Sequence, residues 1–484
     1  MPTRRSFMGS VTNALQGAAL TWLFNRDLSG GSGLVAAESL GSPQPEAFNL
    51  LPKRPHNAPR AKAVIQLMMQ GGPSQVDLFD PKPELDRNHG KSILKEIAKD
   101  LSSPDSAGAL MRSPFKFARH GQCGMWVSQL LPHLSQHVDH IALIRSMFNT
   151  HQNHEPACYK IQSGKTMPGL PTLGAWITYG LGTENQNLPA YVVLDSPDGL
   201  PTNHVQNWQS GYLPPLYQGT RMRSKGLPIL NLKPESEEPR EVERLSRDLL
   251  GKLDRIHRNQ RAGQLRLDAR IASYELAARM QLSAGEALDT TQETAHTLAS
   301  YGIGEKETDS YGRQCLLARR LVERGVRFIQ VFPVGQHWDN HIDIRTSLPA
   351  ICRKTDKPIA GLLTDLTQRG LIDEVLVVWG GEFGRLPIAE VRPGYDSQKA
   401  GRDHGPSGFS VWFAGAGIKG GTTYGSTDEI GWRAADRRVS VNDWHATILH
   451  ALGLHHEKLF FERHGFKEKL TGVDEVRVVQ EIFA

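Results

Sequence analysis

The sequence predicts an α/β fold built on a doubly wound, mostly parallel sheet. Several continuous apolar runs of strand length occur along the 484-residue chain, and such runs suit strands that helices cover on both faces. Segments of helical character separate these runs, and this alternation is typical of a parallel sheet with crossover helices. Glycine-rich polar loops follow several runs. In open sheets of this kind, ligands bind at the carboxyl ends of the strands.

Six strands and five helices carry this prediction. The predicted strands are Ala63–Met69, Ile141–Arg145, Ala190–Leu194, Val326–Phe332, Val375–Trp379 and Phe409–Phe413. The predicted helices are Met125–Val138, one that begins near Thr172, Gln314–Arg324, Ser347–Arg369 and Asp443–Leu452 after a cap at Asn442. A stretch rich in Arg, Glu, Leu and Ala, about 235–310, is expected to form a helical insertion that packs on the sheet. Its interspersed charges suit a solvated face.

The N-terminus carries the marks of a twin-arginine export signal. Arg4-Arg5 precedes a short apolar run from Val11 to Phe24, and small residues end at Ala37. We therefore expect residues 1–37 to be a signal peptide read by the twin-arginine export machinery, residues 38–60 to be a Pro-rich linker, and residues 61–484 to form the folded domain. This address predicts a periplasmic or secreted protein.

Composition narrows the classes of partner. Removal of residues 1–37 takes away three basic residues and one acidic residue, and it leaves a net charge of +3. So small a surplus favours neither nucleic acid nor a membrane surface as a partner. No stretch reaches the roughly 20 apolar residues that a membrane span needs. The four cysteines form no CxxC pair, which argues against a thiolate metal site and leaves one or two disulfides open.

Polar clusters follow four of the predicted strands. They are Ser74 with Asp77, His151 with His154, Asp339 with His341, and Glu382 and Arg385 with the loop Arg402-Asp403-His404. Because the carboxyl ends of parallel strands share one edge of a sheet, these distant residues are expected to converge. Asp339 and His341 stand two apart, so in extended backbone both side chains point to one side, which is chelating geometry. Carboxylate and imidazole ligands suit zinc, manganese or another divalent ion.

These motifs resemble an exported bacterial family that is common in planctomycetes and known as a domain of unknown function. The resemblance rests on Gln70-Gly71-Gly72-Pro73-Ser74, Phe79-Asp80-Pro81-Lys82, Trp338-Asp339-x-His341, Gly381-Glu382-Phe383-Gly384-Arg385 and Gly401-Arg402-Asp403-His404. That family is similar in turn to the alkaline phosphatase and sulfatase superfamily. The resemblance implies an alkaline-phosphatase-like sheet that carries one or two divalent ions, which would be zinc, manganese or calcium.

The resemblance also implies roles for individual residues. The resemblance maps metal ligands onto Asp339, His341, Glu382 and His404, and we add Asp403 and Asp77 to these candidates. Arg385 and Arg402 would bind the substrate anion through paired donors, with Arg385 also acting in catalysis. The loop from Asn149 to Gly164 resembles the sulfatase nucleophile segment but lacks its Cys/Ser-x-Pro-x-Arg core. Three candidates for the attacking group therefore stay open, namely Ser74, His154 and Thr150.

Two functions remain in competition at this point. The first is an exported metal-dependent hydrolase that acts on a small-molecule or glycan ester of phosphate or sulfate. The second is a non-catalytic binding protein on the same scaffold that has lost the nucleophile. The missing Cys/Ser-x-Pro-x-Arg core favours the second function. The dense acid and histidine clusters favour the first, because unpaired charges at strand ends are costly without an ion.

Overall fold

The computed structural model describes residues 48–93, 101, 104–223, 239–261, 264–391 and 397–484. The strands in this part of the chain are β1 Ala63–Met68, β2 Ala107–Leu110, β3 Phe117–His120, β4 Met125–Ser128, β5 Ile141–Phe148, β6 Tyr191–Asp195, β7 Thr220–Arg223, β8 Phe328–Val331, β9 Val375–Gly380, β10 Gly384–Arg385, β11 Ile388–Glu390, β12 His404–Gly405, β13 Phe409–Ala414, β14 Thr422–Tyr424, β15 Ser426–Thr427, β16 Ala434–Asp436, β17 Val439–Ser440, β18 Phe461–Arg463 and β19 Phe466–Glu468. The helices are α1 Gln75–Leu78, α2 Pro83–Arg87, α3 His154–Ser163, α4 Leu173–Leu181, α5 Arg240–Asn259, α6 Leu265–Leu288, α7 Ala295–Ser300, α8 Asp309–Glu323, α9 Ile344–Gln368 and α10 Val441–Ala451.

Among the described residues, nine strands form the sheet that organises the domain, and its order is β14-β5-β13-β9-β1-β8-β6-β7, with β17 also paired to β5. Strands β9, β1, β8, β6 and β7 run parallel to one another. Within the described residues, β13 is the single strand of this sheet that runs antiparallel to its neighbours. The prediction of a mostly parallel α/β sheet is therefore confirmed.

Helices cover both faces of the sheet, as the apolar strand runs predict. In β1, Ile65 and Leu67 belong to the core that includes α8 and α9, whereas Val64 and Met68 belong to the core that includes α3, α4 and α10. Side chains alternate between the two faces of a strand, so a strand that is covered on both sides must be apolar at almost every position. All six residues of β1 are buried accordingly.

All six predicted strands form, with ends displaced by up to three residues, and four of the five predicted helices form. The exception is Met125–Val138, which is not an α-helix. Met125–Ser128 instead pairs antiparallel with β3, and Leu134–His140 forms a 3-10 helix. Pro132, between these two segments, has no amide hydrogen and is disfavoured inside a continuous α-helix. The cap of α10 is Ser440 rather than Asn442, because Ser440 and Asp443 form a reciprocal capping box.

The predicted helical insertion corresponds to α5, α6 and α7, while residues 235–238 lie outside the described residues. Helix α6 contributes Met280 and Leu288 to the core of the domain. The buried Arg320 of α8 donates a hydrogen bond to Ala287 O at 3.0 Å, which fastens the end of α6 to the sheet-covering layer. The insertion thus packs against the domain at its C-terminal half.

The N-terminal predictions fall mostly on residues that the structure does not describe. The signal segment 1–37 and the linker up to residue 47 lie outside the described residues. The rest of the linker follows the domain surface, where the amides of Lys53 and Asn57 donate to Leu181 O and Gly453 O, both at 2.9 Å.

All four cysteines are free thiols. Among the described residues, no helix is long and apolar enough to cross a membrane.

Candidate metal centre

Four side chains from three separate loops meet at the carboxyl edge of the sheet. Asp339 and His341 lie on the loop after β8, His154 begins α3 beyond the end of β5, and His404 opens β12. One ligand atom from each of these residues lies within 4.8 Å of every other, which is the spacing of groups that can bind one ion. We call these four residues the His3Asp cluster.

The cluster is arranged around the Asp339 carboxylate. Its Oδ1 atom lies 2.8 Å from His341 Nε2, 3.1 Å from His154 Nε2 and 3.5 Å from His404 Nε2. The Nε2 atoms of His341 and His404 are 2.8 Å apart. Four donors at the corners of a tetrahedron around an ion with bonds of roughly 2.0–2.1 Å would lie about 3.3 Å apart. The distances to Asp339 scatter around that value.

Each histidine is held through its other ring nitrogen. His154 Nδ1 lies 2.5 Å from Glu382 Oε1, His404 Nδ1 lies 2.7 Å from Gln152 O, and His341 Nδ1 contacts the carboxylate of Glu390. Because carboxylate and carbonyl oxygens accept hydrogen bonds, each Nδ1 carries the proton. In the neutral form of each ring, the Nε2 lone pair therefore faces the cluster. This is the arrangement that orients histidine ligands in metalloproteins.

The His154 ring gives a direct test of whether an ion fits. Its buried Nε2 atom has no hydrogen bond of acceptable geometry, although Asp339 Oδ1 is only 3.1 Å away. A buried polar atom without a partner is rare, and a bound ion is one way to satisfy it. The three histidine side chains are 12% exposed and that of Asp339 is 24% exposed. The cluster fits one divalent ion, and it opens to solvent on the Asp339 side.

Carboxylates make the centre of the cluster favourable for a positive charge. Burial alone would lower the pKa of His154, but Asp339 and Glu382 outweigh it and raise that pKa to about 9. Burial would raise the pKa of Asp339, yet its contacts with the three histidines and the charge of Arg385 bring it well below its ordinary value. The cluster thus favours either a proton on His154 or a cation among the rings.

Glu382 lies behind His154 and is itself fixed by backbone. The amide of Gly71 donates to Glu382 Oε1 and Oε2 at 2.9 and 3.3 Å, and the Glu382 side chain is fully buried. Gly71 has a φ of +113°, and a Cβ atom at this position would lie 2.4 Å from Asp339 N. The glycine is therefore required for the close approach of this loop to the loop that carries Asp339.

The two arginines of the predicted anion site are buried, and their N–H groups donate to other groups of the protein. Arg385 Nε donates to Gly72 O at 3.1 Å and Nη1 to Arg402 O at 3.0 Å, while Nη2 contacts Asp339 and Gly71 O. Arg402 binds Asp77 with Nε and Nη2 at 2.6 and 3.0 Å. Both side chains are fully buried. In this conformation they position the loops around the cluster and offer no accessible donor to a substrate anion.

Three other predicted site residues lie outside the His3Asp cluster. Asp77 is fully buried and paired with Arg402, and Ser74 Oγ donates to Asp77 Oδ2 at 2.5 Å. The Ser74 hydroxyl is thus neither exposed nor adjacent to a histidine base. Asp403 Oδ1 accepts the amide of His404 at 2.8 Å, and Asp403 also groups with His341 and Glu390. Asp403 therefore lies behind the cluster, on the His341 side.

Two features of the centre escaped the sequence analysis. Glu390, on β11 and 1% exposed, holds His341, but it stands in a short mixed segment with no motif around it. His154, considered as an attacking group, faces the other cluster members with Nε2 and Glu382 with Nδ1. The two histidines of His151-x-x-His154, which follow a predicted strand, could have indicated a metal ligand in the sequence. Of these two, His154 is the one that the start of α3 places in the cluster.

Comparison with solved structures gives distant matches. The lipoteichoic acid synthase LtaP from Listeria monocytogenes is 8% identical, with a TM-score of 0.33, and the match covers 86% of this chain and 76% of that one. The PsFucS1 sulfatase from Pseudoalteromonas sp. is 10% identical, with a TM-score of 0.34 and coverage of 82% and 68%. The alkaline phosphatase from the Antarctic bacterium TAB5 is 11% identical, with a TM-score of 0.31 and coverage of 77% and 96%.

Comparison with curated proteins gives no match. The family comparison does: residues 61–483 match the family described as "Protein of unknown function (DUF1501)", which covers nearly all of the predicted domain. The match contains every residue of the His3Asp cluster and every residue that holds it. The chain therefore belongs to the DUF1501 family.

Proposed function

We propose that this protein is an exported hydrolase of phosphate or sulfate esters that works with one divalent ion bound by His154, Asp339, His341 and His404. The observation that carries the proposal is the convergence of three Nε2 atoms and one carboxylate oxygen, with each Nδ1 held by an acceptor. Three imidazoles and a carboxylate suit zinc best and manganese next. Calcium prefers six to eight oxygen ligands, so this donor set makes it the weakest of the three candidates.

The residues around the ion have separate tasks. When bound, a divalent ion of this kind polarises an ester oxygen and lowers the pKa of a bound water. Glu382, Glu390 and the Gln152 carbonyl accept the Nδ1 protons of the three imidazoles and fix the direction of the rings, so that each Nε2 would face the ion. Arg385 fixes the Asp339 carboxylate. Asp339 is the most exposed member of the cluster, so the ester would approach from its side.

Water is the attacking group that this geometry supports best. The Ser74 hydroxyl is fully buried against Asp77, and His154 is committed to the cluster. Thr150, which is exposed and four residues before His154, is the remaining hydroxyl from the sequence analysis. A Thr150→Val variant separates the two routes, because attack by water leaves turnover unchanged whereas attack by Thr150 loses it.

A metal-binding protein without catalysis is the second candidate. The burial of Ser74 against Asp77 favours it, because the superfamily resemblance implies a side-chain nucleophile at the metal and the Ser74 hydroxyl donates to Asp77 instead.

Elemental analysis and a substrate panel test the proposal together. Protein purified without chelators or a histidine tag should contain about one equivalent of a transition metal. It should also hydrolyse at least one aryl phosphate, phosphodiester or aryl sulfate when loaded with zinc or manganese. His404→Ala should lose both properties, and His464→Ala, at an exposed turn, should keep both. Bound metal without turnover on any ester would select the binding protein, and absence of metal would refute both readings.

A further inference from the structure

The groups that would bind the rest of an anionic substrate must come from outside the cluster, because Arg385 and Arg402 are buried and occupied. A groove of about 810 Å³ lies beside the centre, within the size range of ligand sites. Its walls include Arg112, Lys116, Phe115, Arg345, Ala389 and Ala400. We call it the basic groove.

Three exposed cations line the basic groove. The side chains of Arg112, Lys116 and Arg345 are exposed, and none has a carboxylate within ion-pair distance among the residues that the structure describes. Asp86 is the one acidic residue among the described residues that line the groove. The groove therefore attracts anions.

The basic groove shares its framework with the metal centre. Ala389 directly precedes Glu390, which holds His341, and Ala400 forms a β-bridge with Ile342, the residue after His341. Ala400 is also four residues before His404. Since a chain extends at most about 3.6 Å per residue, this wall of the groove lies within roughly 14 Å of the cluster. A polymer with anionic groups along its length could reach both places.

We propose that the basic groove binds the flanking anionic groups of a polymeric glycan that carries several sulfate or phosphate esters, while one ester lies at the His3Asp cluster. The choice of ester rests on the proposed function. A nucleic acid is the less suitable polymer, because single strands bind through stacking on exposed aromatic rings. Phe115 is the one phenylalanine, tyrosine or tryptophan among the described lining residues, and it packs against the core.

The test measures binding by metal-free protein, so it does not depend on turnover. Fluorescent dextran sulfate is titrated into the wild type and into the triple variant Arg112→Gln, Lys116→Gln, Arg345→Gln. The control variant Lys252→Gln, Arg258→Gln, Lys419→Gln removes the same charge from exposed positions elsewhere. Three exposed ion pairs that each contribute about twofold predict a loss of about tenfold in affinity for the groove variant. The control should stay within twofold, and added salt should reduce the difference.

Several results would overturn the inference. Equal losses of affinity in the two triple variants would show that the effect depends on net charge and not on the groove. Uncharged dextran that binds as tightly as dextran sulfate would show that the anionic groups do not contribute to binding. Single-stranded DNA that displaces dextran sulfate at lower concentration would assign the groove to nucleic acid instead. If the protein holds no metal and hydrolyses no ester, but the groove variant still loses binding selectively, the proposed function fails and the polymer site stands.

Discussion

Asp339→Asn is the sharpest test of the metal centre, since Oδ1 of this residue is the atom that all three histidines face. The substitution keeps the volume of the side chain and removes its charge. Without the carboxylate, the cluster loses its anionic ligand, and the buried Arg385 guanidinium beside it is left with backbone carbonyls as partners. We therefore expect bound zinc to fall from about one equivalent to less than a tenth.

The stability effect can be separated into two parts. An ion that binds only the folded protein stabilises it by about 2.7 kcal/mol when the free ion stands at 100 times its dissociation constant, and this increment should vanish in the variant. In addition, the free energy of unfolding of the metal-free variant should be lower than that of the metal-free wild type by up to about 3 kcal/mol, since one partner of a partly buried charge pair is removed. For comparison, replacing an exposed surface residue costs about 0.5 kcal/mol or less.

Denaturant unfolding of metal-free and zinc-loaded samples, together with elemental analysis, measures both parts. Asp436→Asn is the matched control, because Asp436 is exposed and pairs with the neighbouring Arg437. An Asp339→Asn protein that keeps one equivalent of zinc and the full zinc-dependent increment would refute the site as described. A variant that fails to fold would be replaced by His404→Gln, which removes one ligand and leaves the Asp339–Arg385 pair intact.

Three further predictions concern individual residues. Glu390→Gln should weaken zinc binding about tenfold in a chelator competition, because the amide oxygen still accepts a hydrogen bond but carries no charge, whereas Glu374→Gln on the surface should change nothing. Burial lowers the pKa of His445 to about 3, so between pH 6.5 and 3 the unfolded chain binds a proton that the folded protein does not. The free energy of unfolding of the metal-free wild type should therefore fall by up to roughly 4–5 kcal/mol more than that of His445→Gln as the pH is lowered from 6.5 to 3. Equal pH dependence of the two proteins in denaturant unfolding would contradict this. The double change Arg4→Lys and Arg5→Lys should leave precursor in the cytoplasm in a fractionation experiment, and unchanged export would point to another route.

The strands and the convergence of Asp339 with His341 at the sheet edge could be predicted from the sequence because their causes are local. A strand that is buried on both faces needs apolar residues in succession, and the runs that became β1 and β9 show this directly. The Asp339-x-His341 spacing likewise predicts the direction of both side chains, since residues two apart in an extended chain point to the same side. Their side chains do meet in the structure, with Oδ1 and Nε2 at 2.8 Å.

The identity of the remaining members depended on tertiary structure. Acids and histidines follow several strands, and their sequence context does not show which of them will face an ion and which will face another side chain. Asp77 pairs with Arg402, and Glu382 contacts His154 at Nδ1, on the side away from the cluster. Glu390 contacts His341 from a short strand that contains no recognisable motif. These choices are set by partners up to 325 residues away in the chain. The cost of burying an unpaired charge acts on the folded arrangement as a whole, which is why only the structure could assign them.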